Sequence, residues 1–132
     1  MPEHVFIFID RQSKRNFFCL AHSVVISDGE LSVGERVMME EMRKEMALSA
    51  DFDPHYLNVE GTREIFDTRR SRSIVLISLV RLGYADGAFE IEEQSFLKVL
   101  CNEFEISNDD FALIENWVRR LITLEREANA FL

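Results

Sequence analysis

The feature that most constrains the fold of this chain is an internal repeat. When the 132-residue sequence is displaced by 58 positions, Asp28-Gly29 falls on Asp86-Gly87 and Glu35 falls on Glu93. The apolar positions follow the same displacement: Phe17 and Val75, Val24 and Leu82, Leu31 and Phe89, Met39 and Leu97, Met42 and Leu100, Met46 and Phe104. A D-G-x5-E motif repeated within one apolar pattern predicts two copies of one supersecondary unit.

Each copy has the pattern of a helix, a short acidic turn and a second helix. Apolar residues recur at three- and four-residue spacing over residues 17–25, which indicates an amphipathic helix. Asp10 or Ser13 is expected to cap its start, and the D-G turn to end it. Ser32 and Glu35 have the spacing of a capping box for the second helix.

We therefore expect an all-α fold, a compact bundle built from two pseudo-symmetric helix–DG turn–helix units in a single domain. Unit one covers about residues 13–48, a linker about 49–70 and unit two about 71–106. Ser107 is expected to open a C-terminal helix over about 108–131, because its first turn is acidic.

Some segments have less regular patterns. In the linker, Pro54 suggests a helix start and residues 59–67 a short helix. Val5 to Ile9 have strand-like side chains but no sheet to join, so they are expected to pack as an extended arm or a first helical turn; the alternative is a pairing edge for a dimer. Trp117 is at helical spacing with other apolar residues of the last helix, and we expect it in the core.

Composition limits the function classes. The chain has 15 basic and 24 acidic residues, a net charge of −9, which disfavours nucleic acids and anionic membranes as partners. Its apolar runs are far shorter than the ~20 residues of a membrane-spanning helix. We expect a cytoplasmic protein without membrane insertion, in which Cys19 and Cys101 are buried thiols.

Catalytic arrangements are not evident in the sequence. His4, His22 and His55 are scattered, and there is neither a glycine-rich phosphate loop nor a G-x-S-x-G motif. The sequence therefore predicts that the protein is not an enzyme. His22 is expected to be structural, and His55 could join a metal site only if the linker folds over the acidic turns.

The acidic turns resemble half of an EF-hand loop. D-G-x5-E matches the end of that motif, but apolar or aromatic residues stand at two earlier ligand positions in each copy. They are Val24 and Ile26 in the first copy, and Leu82 and Tyr84 in the second. An ordinary EF-hand calcium site is therefore excluded.

Two alternatives remain open for the acidic residues of the turns. Asp28, Glu35, Asp86 and Glu93 would form an oxygen-rich site if the repeat brings the two turns together. Calcium, magnesium or manganese would suit such a site better than zinc. Alternatively, the aspartates cap their turns and the glutamates accept hydrogen bonds from backbone N–H groups.

The duplicated turn, with Asp-Gly followed by Glu between two apolar helices, resembles the TerB-like family. This family includes the tellurite-resistance protein TerB and the related domain of the DjlA co-chaperone. The resemblance runs from about Phe17 to Phe111. It implies a bundle of about seven helices with an acidic metal-binding face, carried here by the four residues named above.

The same resemblance implies a non-catalytic module of a tellurite-resistance or stress-response system that binds a divalent cation and docks a partner protein. The alternative is a metal-free interaction adaptor whose acidic turns are only helix caps. Residues 61–85 contain five arginines and two acidic residues, a local excess of positive charge. These arginines are expected to pair within the domain, or to dock an acidic partner or a second copy in a homodimer.

Overall fold

The chain is helical in the part that the structure describes. The computed structural model describes residues 10–26, 32–84 and 91–132, except for the side chains of residues 25 and 91–93. These residues form six helices and no strand: α1 (Arg11–Val25), α2 (Val33–Glu45), α3 (Thr62–Ile65), α4 (Arg69–Gly83), α5 (Ile91–Phe104) and α6 (Asn108–Asn129). The predicted all-α class is confirmed.

The 58-residue displacement recurs in the helices. α1 and α4 are both 15 residues long and begin 58 residues apart. α2 and α5 also begin 58 residues apart. Two non-glycine residues have a positive φ in the described ranges, Ala47 at 55° and Glu105 at 58°, and they follow the second helices at the same displacement. α1 packs against α4 and α5, while α4 also packs against α2. The first helix of each unit thus contacts both helices of the other.

The helix starts are set by short polar side chains. Asp10 caps α1, as expected, because its carboxylate accepts a 2.8 Å hydrogen bond from the backbone N–H of Ser13. α4 begins at Arg69, two residues before the predicted start of unit two. Thr68 and Ser71 form a capping box there, since Thr68 Oγ1 accepts from Ser71 N and Ser71 Oγ accepts from Thr68 N.

α4 lies at the centre of the core. It packs against α1, α2, α5 and α6, and its residues from Ile74 to Gly83 are buried except Ile77. Cys19 and Cys101 are both free and buried, which confirms the prediction for the two thiols. The largest fully buried side chains are Phe17, Phe18, Phe66, Phe104, Leu20, Met42, Leu76, Leu79, Leu82, Leu97 and Leu100.

The linker contains less helix than the sequence predicted. No helix begins at Pro54, and the short helix expected over residues 59–67 is limited to α3. Gly61 precedes α3 with φ 89°, a left-handed conformation that favours glycine. Its backbone N–H donates a 2.9 Å hydrogen bond to Glu103 Oε2 of α5. Tertiary hydrogen bonds, rather than local helix propensity, therefore hold this segment.

Polar side chains of α1 and α2 fix the rest of the linker. Arg43 Nη1 of α2 donates hydrogen bonds to the carbonyl oxygens of Ser49, at 2.7 Å, and Phe52, at 2.8 Å. Ser23 Oγ of α1 accepts a 2.9 Å hydrogen bond from the backbone N–H of Leu57. Each contact satisfies a backbone group that has no helical partner, so the irregular segment can lie against the core.

α6 differs from the prediction at Trp117. Ser107 caps the helix as expected, with a 3.1 Å hydrogen bond from Asp110 N to Ser107 Oγ. Val118 is fully buried, whereas the side chain of Trp117 is 42% exposed. The predicted core position of Trp117 is therefore wrong. Consecutive helical residues point about 100° apart, and Val118 takes the inward direction.

Candidate functional site

Glu35 is the predicted metal ligand whose carboxylate the structure describes. Its side chain is buried and accepts a 3.0 Å hydrogen bond at Oε1 from the backbone N–H of Ser32. Ser32 Oγ in turn accepts a 3.0 Å hydrogen bond from the backbone N–H of Glu35. This is the predicted capping box, so one oxygen of Glu35 already has a backbone partner.

The other members of the predicted site lie outside the described residues. These are Asp28, Asp86 and the side chain of Glu93. Within the described ranges, no group of three or more histidine, cysteine, aspartate or glutamate side chains is placed to hold a metal ion. The four-carboxylate site therefore stays a prediction.

The linker brings one histidine against α1. His55 Nδ1 lies 3.5 Å from Cys19 Sγ. Burial raises the pKa of the Cys19 thiol above its ordinary value, an effect that a hydrogen bond with the backbone of His55 opposes. A buried thiol with a raised pKa is a poor nucleophile, because the thiolate is the reactive form. This pair joins the linker to the core.

The arginine-rich stretch makes many of its contacts within the domain. Arg72 donates hydrogen bonds to the carbonyl oxygens of Phe66 at 2.6 Å, Arg63 at 2.9 Å and Phe104 at 3.3 Å. Arg63 forms a 3.0 Å ion pair with Glu105. These contacts join α3 and α4 to the end of α5. The expected pairing with acidic residues of the domain is seen for Arg63, and for Arg69 with Asp110 at 3.7 Å, whereas Arg72 contacts backbone carbonyls.

A second face of α6 carries exposed apolar side chains. Leu113 is 67% exposed, Trp117 42% and Leu124 60%. Together with the exposed Arg120 they form a row, at separations of four, three and four residues, that we call the α6 stripe. This is the a/d spacing of a helix that packs along another helix. Arg119, Arg120, Thr123 and Leu124 also line a surface pocket of about 290 Å³.

The sequence of α6 contains two apolar rows, and their periodicity alone does not show which row faces the core. The α6 residues that pack inward include Phe111, Ile114, Val118 and Ile122. The α6 stripe interleaves with this inward row, so α6 is apolar on two sides. A helix with two apolar rows and a single core to cover must expose one of them.

α2 has a comparable outward face. Val33 is 83% exposed and Val37 is 54% exposed, and Glu40 and Lys44 are exposed on the same side. We call these four residues the α2 stripe. They line a surface depression of about 600 Å³, together with Arg36 and Glu41. The opposite side of α2 packs inward through Met39, Met42 and Met46.

Comparisons of the chain with protein-family models, with curated proteins and with solved structures found no match. The TerB-like resemblance therefore depends on the duplicated turn motif alone. Among the helices that the structure describes, none is both long and apolar enough to cross a membrane.

Proposed function

We propose that this protein is a non-catalytic interaction module and that the α6 stripe is its docking surface. The observation that carries the proposal is the exposure of Leu113, Trp117 and Leu124 at helix-packing spacing on one face of α6. Exposed apolar side chains in a contiguous row mark interaction sites more often than scattered ones do. Tryptophan and arginine are also the residue types most enriched at the energetic centres of interfaces.

The state of Glu35 also favours this adaptor function. A carboxylate that accepts a hydrogen bond from the N-terminal backbone of its own helix serves a structural role whether or not a cation is present. Burial raises the pKa of both the Cys19 and the Cys101 thiols, so neither cysteine is a ready nucleophile, which agrees with a non-catalytic role.

The docking proposal is tested by site-specific photocrosslinking in the cells that produce the protein. A photoreactive amino acid at position 124 is expected to crosslink one discrete protein species. The matched control places it at position 112, which is exposed on α6 but outside the stripe. Crosslinks of equal intensity at both positions, or none at position 124, would contradict a docking role for the stripe.

A second candidate function is the cation-responsive TerB-like module, with its seven-helix bundle and its role in a tellurite-resistance or stress-response system of the cytoplasm. The observation that favours it is the structural repeat, since both D-G-x5-E motifs join helices that begin 58 residues apart. Asp28, Glu35, Asp86 and Glu93 would then neutralise their mutual repulsion by binding calcium, magnesium or manganese.

A thermal melt tests this candidate. A cation at about 100 times its Kd adds roughly 2.7 kcal/mol to the free energy of unfolding, a shift of several degrees in Tm. We expect Asp86→Asn to abolish the shift, and Asp51→Asn, an exposed linker carboxylate, to retain it. A Tm that no cation changes, or a shift that both variants retain, would exclude binding through the turns.

A further inference from the structure

We propose that the α6 stripe of one chain packs against the α2 stripe of a second copy of this chain, with the two helices parallel. The inference rests on the docking function proposed above and names the partner at that surface. The two stripes lie on two different helices, so each copy can contact one neighbour through its α6 stripe and another through its α2 stripe.

The two stripes have the same spacing. Their members are separated by four, three and four residues in both helices. A parallel alignment therefore sets Leu113 beside Val33 and Trp117 beside Val37, so that two apolar pairs meet over the first turns. Helices that share the a/d spacing can pack side chain against side chain along their whole contact.

The same alignment matches charge. It places Arg120 beside Glu40, with the exposed Glu41 next to it. Glu40 forms an i,i+3 ion pair with Arg43 at 3.4 Å, and 59% of its own side chain is exposed, so it is accessible to a second partner. Because arginine forms paired hydrogen bonds with carboxylates, this contact would fix the register.

An antiparallel arrangement fits less well. With Trp117 kept beside Val37, it would set Leu113 against Glu41 and Arg120 against Gly34. The apolar leucine would then face a carboxylate, and the guanidinium would have no acidic partner at its own level. With Trp117 beside Val37, the parallel arrangement combines apolar and opposite-charge matches and the antiparallel arrangement does not.

Trp117 is the natural anchor of the contact. The depression on α2 has a volume of about 600 Å³, and its apolar walls are Val33 and Val37. An indole ring that enters it removes apolar surface on both copies from water, which is the main favourable term in association. The pocket beside Leu124, between Arg119 and Arg120, is the rim of the same contact.

The contact is heterologous, so its repetition gives an open chain or a closed ring of copies. It covers about three helical turns, which is small for a protein interface and opposed by the net charge of −9 on each copy. At physiological salt the charges are screened beyond about 8 Å. We therefore expect weak association, with a Kd on the order of 100 µM.

Sedimentation velocity over about 10 µM to about 1 mM protein tests the inference. The weight-average mass of the wild type is expected to rise with concentration, whereas Trp117→Glu and Val37→Glu are each expected to stay monomeric. Both positions are exposed, so these variants retain the core. Val99→Glu, at a 55% exposed position of α5, is the matched control and is expected to associate like the wild type.

A mixture of the two monomeric variants gives the decisive result. Trp117→Glu keeps an intact α2 stripe and Val37→Glu keeps an intact α6 stripe, so their mixture is expected to form a one-to-one dimer and nothing larger. Arg120→Glu and Glu40→Arg are each expected to weaken self-association by about threefold to tenfold, and their combination in one chain to restore it. Recovery in the double variant supports the parallel register.

A wild type that is monomeric at about 1 mM would overturn the inference, as would a mixture that forms no dimer. If position 124 nevertheless crosslinks a different protein in cells, the docking function survives and only the identity of the partner is wrong. If there is neither self-association nor a crosslink, both proposals fail.

Discussion

Arg81 Nη2 donates a 2.8 Å hydrogen bond to Glu125 Oε2, which ties α4 to α6. The side chain of Arg81 is only 8% exposed, while that of Glu125 is 39% exposed. The Nε and Nη1 atoms of Arg81 have no hydrogen-bond partner among the described residues. A buried guanidinium with one acidic partner depends strongly on that partner, because its charge has little access to water.

We therefore predict that Glu125→Gln lowers the free energy of unfolding by about 1–3 kcal/mol. Arg81→Met is expected to cost less, since methionine removes the charge together with the two unpartnered nitrogen atoms. Urea unfolding at equal protein concentration measures both. Glu127→Gln, at an exposed position of the same helix, is the control and should change stability little. A larger loss in Arg81→Met than in Glu125→Gln would contradict this account.

The capping role of Glu35 gives a second prediction. Glutamine is also accepted at this position of a capping box, so Glu35→Gln should retain most of the free energy of unfolding. Ser32→Ala removes the other half of the box and should cost about 1 kcal/mol. If Glu35 is also a cation ligand, Glu35→Gln should instead lose a cation-dependent rise in Tm while its stability without metal is unchanged. Thermal melts in chelator and in calcium separate the two roles.

The sequence predicted the repeat well, because the same apolar pattern forms helices at equivalent positions in both units. The 58-residue displacement follows from the apolar pattern, and helix caps such as Asp10 and Ser32 follow from local side-chain chemistry. α4 starts two residues before the predicted position, because Thr68 and Ser71 form a capping box that begins the helix at Arg69. The linker was predicted less well, since tertiary hydrogen bonds from residues such as Arg43 decide its path.

The candidate surface was harder to predict than the fold. Apolar spacing on α6 is compatible with two different inward faces, and only the packing of α4 against α6 decides that Val118 is covered and Trp117 is not. Periodicity identifies the rows but not which row meets the core. Both rows consist mostly of apolar residues, so tertiary packing decides which row is buried.

His22 gives a prediction of pH dependence. Burial lowers its pKa below the ordinary value of 6.5, while the nearby Asp53 opposes the shift. The unfolded chain then binds the proton at higher pH than the folded chain does. Stability from this group is present above the unfolded pKa and is lost as the pH falls from about 6.5 to the lowered pKa.

We therefore expect the urea concentration at the unfolding midpoint of the wild type to decrease when the pH is lowered from 7.5 to 5. The decrease is expected to be smaller in His22→Gln. The Nδ1 atom of His22 is buried without a hydrogen-bond partner among the described residues, so a proton at this atom would have no hydrogen-bond acceptor there. Equal slopes in the two proteins would show that other groups cause the dependence.

Arg43 is expected to determine whether the linker stays on the core. Its Nη1 donates to the carbonyl oxygens of Ser49 and Phe52, and its guanidinium lies 4.8 Å from the centre of the Phe18 ring. Lysine keeps the charge but lacks the planar group that serves these contacts together. Arg43→Lys should therefore cost about 1–2 kcal/mol and speed proteolytic cleavage within the linker. Lys44→Ala, an exposed neighbour, should do neither.

Because the linker covers Phe18 through Phe52, whose ring centre is 6.0 Å away, faster cleavage should accompany a partial loss of core protection in hydrogen exchange. Faster cleavage with unchanged exchange would instead limit the role of Arg43 to the loop.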